Sequence, residues 1–150
     1  MKINKLMADI LKIVGNAKKS LAFNYGTDSE YVYFTPDGYR VYKIPQKDFL
    51  IDLGKAFPDR TPLSNPKKML DDSNTEPAVK TNEIRVIGKG NVVKIKSENT
   101  HAWVNVDYLK EFEPECTFRV IKPNAPVFVY EYEELVAIVL PVRVAEDNIK

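Results

Sequence analysis

Val104–Leu109 (VNVDYL), Asn124–Val129 (NAPVFV) and Ile138–Val144 (IVLPVRV) are the stretches whose reading decides the fold of this chain. The first continues the strand pattern of HAWVN (residues 101–105) into a short helix, VDYLKEFE, which Pro114 stops because proline cannot continue a helix. The other two are rich in β-branched residues and read as strands. The last is almost wholly apolar and carries Pro141, which has no N–H to give a ladder and belongs at an edge or a strand end. A strand of that kind is either buried or binds something.

Reading outward, CTFRVIK (116–122) is a further strand, and EIRVIG with VVKIKS forms a hairpin turning at Gly88 and Gly90. Its G-K-G lacks the longer glycine spacing, the Lys-Ser/Thr ending and the following helix of a phosphate loop. Near the N-terminus, Ile3, Leu6, Met7, Ile10, Leu11 and Val14 recur at steps of three and four, which predicts an amphipathic helix over 2–19 that frays at Gly15. Lys2, Lys5, Asp9, Lys12, Asn16 and Lys19 make its polar face. SLAFNY (20–25) reads as a strand. EYVYF and YRVYKI flank Thr35-Pro36-Asp37-Gly38, where proline presets φ, aspartate bonds its own backbone and glycine accepts positive φ, so a hairpin is predicted. The aromatic residues between Phe23 and Tyr42 then read as cross-strand packing rather than a base-stacking platform.

PQKDFLIDLGKAF (45–57) predicts a short helix with Phe49, Leu50, Leu53 and Phe57 on one face. Residues 58–82, punctuated by Pro58, Pro62, Pro66 and Pro77, read as a long loop or linker. The expected fold class is α+β: one domain over 1–150, with two similar halves of antiparallel strands and amphipathic helices (1–57 and 83–144) and a tail at 145–150.

Composition excludes several classes. Hydrophobic and charged contents of 44% and 29% argue against global disorder, and a net charge of +1 provides no overall field to recruit nucleic acid. Cys116 is the single cysteine, so neither an internal disulfide nor a multi-cysteine metal site is available. No stretch approaches the roughly 18 apolar residues of a membrane span, and Lys5, Asp9 and Lys12 interrupt the run that would resemble a signal peptide, so a cytoplasmic protein is expected. His101 is the only histidine, beside Trp103 at a strand start, and no Ser or Cys lies in a nucleophile context. Glu111, Glu113 and Glu115, and Glu131, Glu133 and Glu134, read as solvated turn charge. These residues nominate no catalytic group, metal or cofactor, and the chain is not expected to be an enzyme.

In order and approximate spacing, the three opening stretches resemble the C-terminal domain of the bacterial sliding clamp, the β subunit of DNA polymerase III. Val104, Asn105, Val106, Tyr108 and Leu109 stand where that family carries a phenylalanine-asparagine-valine strand leading into a helix with tyrosine and leucine. Ala125, Pro126 and Val127 match its serine-proline-valine strand start. Ile138, Val139, Leu140, Pro141, Val142, Arg143 and Val144 match its closing valine-valine-methionine-proline-methionine-arginine-leucine strand. The first half agrees only in its opening helix and hairpin.

The resemblance implies a DNA-clamp fold and a non-enzymatic interaction module of DNA replication or repair. Such a module takes partner proteins through short peptide motifs, in an apolar groove at the C-terminal strand. By position, Ile138, Leu140, Pro141 and Val142 would be groove residues, and Arg143 a nearby polar contact or an internal salt-bridge partner. The residues 145–150 would cover that groove or compete for it. The same resemblance implies a second arrangement, a homo-oligomeric ring encircling double-stranded DNA as a processivity clamp, with Lys2, Lys5, Lys12 and Lys19 facing phosphates. Asp107, Glu111 and Glu113 on the second helix oppose that term, with only Lys110 against them. An enzyme of unrelated α+β fold is the remaining reading and would need a deep pocket with converging polar groups. No membrane partner is expected, and the small size fits a phage or mobile-element protein.

Overall fold

The apolar stripe near the N-terminus folds as α1 (Ile3–Val14), burying Leu6, Met7, Ile10 and Ile13. Leu11 and Val14, which the periodicity placed on that stripe, are exposed. The helix ends at Gly15. Asn16 then caps a separate turn, α2 (Ala17–Ser20), its side-chain oxygen accepting from the Lys19 N–H at 3.0 Å. That cap is why the expected strand at 20–25 begins later: β1 spans Asn24–Thr27. The Arg60 guanidinium donates to the carbonyls of Ser20 and Phe23 and holds the connection.

β2 (Tyr31–Thr35) and β3 (Arg40–Pro45) form the expected hairpin. Gly38 has φ 85°, its N–H donates to Thr35 Oγ1 at 2.7 Å, and Asp37 Oδ1 accepts from the Tyr39 N–H at 2.9 Å. The single helix expected over 45–57 divides in two. A 3₁₀ turn covers Gln46–Asp48, and Asp52 caps α3 (Leu53–Ala56) through its side chain, which accepts from the Lys55 N–H at 3.2 Å. Phe49, Leu53 and Phe57 still turn inward, but Leu50 is exposed.

The expected long loop ends early. Pro66–Leu70 is a 3₁₀ turn that buries Pro66 and Leu70, and β4 (Glu76–Ile87) has already begun by Glu76. Gly26 permits this strap to lie against β1, since a Cβ there would meet the Leu63 carbonyl oxygen and Pro66 at 2.9 Å. β5 (Gly90–Ser97) completes the second hairpin, and β6 (His101–Asn105) runs into the one-turn helix α4 (Val106–Leu109). β7 (Thr117–Val120), β8 (Val127–Glu131) and β9 (Glu134–Val139) follow. The β8–β9 turn uses Tyr132 and Glu133 at φ 53° and 65°, left-handed positions with no glycine to mark them.

The computed structural model describes residues 1–145, so the expected tail lies, from residue 146, outside the described residues. Nine strands form one antiparallel sheet in the order β1-β2-β3-β9-β8-β7-β4-β5-β6, which with its few helices makes the fold α+β. The sheet is three meanders side by side, and the last in sequence sits between the first two. The joints are short: Arg40–Tyr42 pair with Ala137–Val139, and Glu76–Ala78 with Phe118–Val120. Beyond β9 the chain bridges back to β6, where the Val142 N–H donates to the Trp103 carbonyl at 2.7 Å. The sheet therefore curls until its last strand meets the continuation of a central one.

Strand alternation sorts the side chains onto two faces. Val32, Phe34, Tyr42, Ile44, Val93, Ile95, Val127, Val129, Ala137 and Val139 join α1 in the main core. Tyr33, Phe128 and Ile138, one position out of phase with them, form a small cluster on the other face, closed by Leu70 from the strap.

Candidate functional site

The C-terminal segment is pinned at two backbone points. The Leu140 N–H donates to the Tyr39 carbonyl at 2.8 Å, and the Val142 N–H holds Trp103 as described. Pro141, between them, has no N–H to place. The side chains divide: Ile138 is 6% exposed under Leu70, Leu140, Pro141 and Val142 are half-buried, and Arg143 is exposed. Behind the segment lies Trp103, buried, with the Arg85 guanidinium 4.9 Å from its ring centre and the Lys94 ammonium at 5.8 Å. Arg85 also donates to the Ala145 carbonyl at 3.3 Å. A strip of apolar side chains is thus carried on a backbone that neighbouring strands hold in place. His101 opens the β6 strand that carries Trp103.

The four lysines expected to share one face do not share one environment. Lys2, Lys5, Lys12 and Lys19 are all exposed. Lys5 lies 3.2 Å from Glu111, whose side chain is buried. This corrects the reading of Glu111 as solvated turn charge, and Glu131 is likewise buried. Both serve the start of α1, which has no acid in its first turn and no side-chain cap. The Glu111 carbonyl accepts from the Lys2 N–H at 2.8 Å, and Glu131 accepts from the Met1 amino group and, at 2.8 Å, from the Glu113 N–H. The Glu131 carboxylate, from a distant segment, thus supplies negative charge at the start of α1, where a helix N-terminus favours it.

Glu111 Oε2 has no hydrogen-bond partner, so Lys5 is the one cation compensating this carboxylate among the described residues. Lys5→Ala is expected to lower stability by about 1–2 kcal/mol, the buried-pair cost reduced by water on the lysine side. Lys12→Ala and Lys19→Ala should stay within about 0.5 kcal/mol of wild type. Urea unfolding midpoints test the difference, and equal midpoints for all three would remove the structural role of Lys5. Lys12 and Lys19 instead line a concavity of about 430 Å³ with Lys18, Asp9, Asp37 and Arg40. Arg40 is engaged there, with Nε 3.1 Å from Asp37 and Nη1 3.1 Å from the Tyr42 hydroxyl.

A second concavity, of about 540 Å³, opens on the face that carries the small cluster, between the strap and β2. Its tyrosines already have acceptors. Tyr33 donates to Asp28 at 2.6 Å, Tyr31 to Glu134 at 2.9 Å, and the neighbouring Tyr130 to Asp72. Burial pushes the Asp28 carboxyl up, but the Tyr33 hydroxyl and the N–H groups of Glu30 and Tyr31 outweigh it and hold the group below the ordinary carboxylate range. Tyr130 is pushed up to about 12 by burial and by its bond to Asp72. Lys43 lies 4.1 Å over the Tyr31 ring, so the cation-binding capacity of that ring is already in use. Among the described residues no group of three or more His, Cys, Asp or Glu side chains is placed to hold a metal ion. No helix among them is long and apolar enough to cross a membrane.

No protein-family model matches the chain, and no curated protein matches it. Among solved structures, it aligns with a crystal structure assigned as a DNA polymerase III beta subunit, from Eubacterium rectale. The alignment has a TM-score of 0.47 and 10% sequence identity, and covers 93% of this chain and 64% of that one. The chain therefore spans less than two thirds of the length of that protein.

Proposed function

We propose that this chain is a non-enzymatic, clamp-like interaction module of DNA replication or repair, seating a partner peptide on the apolar strip Leu140–Val142. The observation that supports the reading is the pinned backbone of that strip. Leu140 and Val142 have their N–H groups engaged by Tyr39 and Trp103, while their side chains and Pro141 remain half-exposed. An apolar surface on a fixed backbone needs little ordering when a partner arrives, which removes part of the entropic cost of binding. Ile138, beneath Leu70, would form the floor, and Arg143 at the rim would take a polar or acidic group of the peptide. The partners are replication or repair proteins bearing short apolar motifs, met in the cytoplasm.

Fluorescence polarisation with a fluorescein-labelled peptide that binds bacterial sliding clamps tests the reading. Leu140→Asp is expected to weaken binding at least tenfold, about 1.4 kcal/mol. Equal affinity for wild type and variant would place the site elsewhere. A second reading, a multi-subunit ring on duplex DNA, draws its support from the concavity that gathers Lys12, Lys18 and Lys19. Labelled duplex DNA in the same assay separates the two, because phosphate contacts weaken steeply with salt and apolar contacts do not.

A further inference from the structure

The bridge between Val142 and Trp103 sets their side chains on one face of the sheet, because directly facing antiparallel residues project to the same side. The register carries that face outward from the apolar strip. Trp103 faces Lys94 in β5, and His101 faces Lys96. In β4, Arg85 faces Val92, two places from Lys94. Residues two apart along a strand share a face, so Arg85, Lys94 and Lys96 all stand on the side of Trp103 and Val142. Their neighbours Val93 and Ile95 point the other way, into the main core.

These cations are held in place and still have donors to give. The Arg85 guanidinium and the Lys94 ammonium lie over the Trp103 ring at 4.9 and 5.8 Å. Arg85 gives one N–H to the Ala145 carbonyl at 3.3 Å and keeps others, since a guanidinium carries several donors. Lys94 lies 3.4 Å from Glu83, the one carboxylate within ion-pair distance of the three cations among the described residues. Lys96 is exposed. Three cations against one carboxylate make this face more positive than the chain as a whole, whose net charge is +1.

A basic surface beside an apolar strip is complementary to an apolar peptide with an acidic flank. Two strand spacings, about 10 Å, separate Val142 from Lys94, the length of about three extended residues. With Leu140–Val142 taken as the peptide site, on which this rests, we propose that the partner peptide carries acidic residues about three positions from its apolar motif, and that Lys94, Lys96 and Arg85 receive them. These cations belong to β4 and β5, whereas Arg143 lies on the C-terminal segment itself.

Fluorescence polarisation with three kinds of fluorescein-labelled peptide tests the assignment. All carry the same apolar clamp-binding motif and differ in a flanking pair of glutamates, glutamines or lysines, placed in turn before and after the motif. Wild type is expected to bind the better-placed glutamate peptide about fivefold more tightly than its glutamine counterpart, through partly exposed ion pairs, and the lysine peptide least. The advantage should fade as salt is raised, because exposed charges are screened. Lys96→Glu, a change at an exposed position that leaves the core untouched, should remove most of it. Lys55→Glu makes the same change of charge on α3, which packs against the main core on the other side of the sheet, and should keep it. Equal affinity for glutamate and glutamine peptides, with Leu140→Asp weakening both, overturns the acidic flank and leaves the apolar site standing. A glutamate preference that Lys96→Glu does not reduce also overturns it. So does duplex DNA binding that Lys96→Glu abolishes in the absence of any glutamate preference, which would assign this face to phosphates. Failure of every peptide to bind removes the peptide site and its flank together.

Discussion

Phe34→Ala is expected to lower the unfolding free energy by about 3–5 kcal/mol, the range for deleting a buried aromatic ring. Phe34 is almost fully buried on β2, where its ring centre lies 6.2 Å from Phe23, 5.3 Å from Tyr42 and 5.8 Å from Phe49. Phe23 in turn stacks on Phe57 at 4.2 Å. These rings come from the residue before β1, from β2 and β3, from the residue after the Gln46–Asp48 turn and from the end of α3, so no single backbone shift can close the space left by the missing ring. A loss of that size is a large fraction of the roughly 5–15 kcal/mol by which domains are stable. Urea unfolding should show a lower midpoint at unchanged slope. A cost under about 1 kcal/mol would mean that the cluster collapses around the gap and does not organise the first meander.

Val142→Pro should break the link between the C-terminal segment and β6. Proline cannot donate, so the Trp103 carbonyl loses the 2.7 Å bond that bridges the sheet to the continuation of β9. Leaving a buried acceptor unpaired costs about 1–3 kcal/mol. The chain has one tryptophan, at the bridge itself, so intrinsic fluorescence reports the event directly. Emission should move to longer wavelength as water reaches the indole, while Val142→Ala, which keeps its N–H, should leave the emission near that of wild type. Unchanged emission in Val142→Pro would show that Arg85 and Lys94, not the C-terminal segment, exclude water from Trp103. Leu140→Asp and Val142→Pro together separate loss of an apolar contact from loss of the backbone that carries it.

Turns and hairpins were legible wherever adjacent residues carry the chemistry. Thr35–Gly38 folds as read because proline, aspartate and glycine act on their own few bonds. Gly88 likewise takes the positive φ the second hairpin needs. The turn at Tyr132 and Glu133 carries no such residue, and its left-handed backbone is held by the strands on either side. Helix lengths misled where a cap inside the run restarts the chain, as Asn16 and Asp52 do. Of the nominated site residues, Leu140, Pro141, Val142 and Arg143 lie together with partial or full exposure, and Ile138 turns under Leu70. The alternation of β9 separates Ile138 from Ala137 and Val139, but no neighbouring residue announces that a strap from Pro66–Leu70 covers its face. Lys5 leaves the basic set for the same reason, since its partner Glu111 is distant in the chain.

Local order in this protein follows from side chains acting on their own backbone: where strands begin, where they turn, and which positions alternate. The amphipathic face of α1 can likewise be read from residue order. Insertion of the third meander between the first two, the closure of the sheet through Trp103 and Val142, and the burial of Glu111 and Glu131 required the folded chain. Each depends on which of several equally apolar strands become neighbours. That choice is made by the joint burial of faces and by charges that find partners only after the chain has returned on itself, which no window of consecutive residues contains.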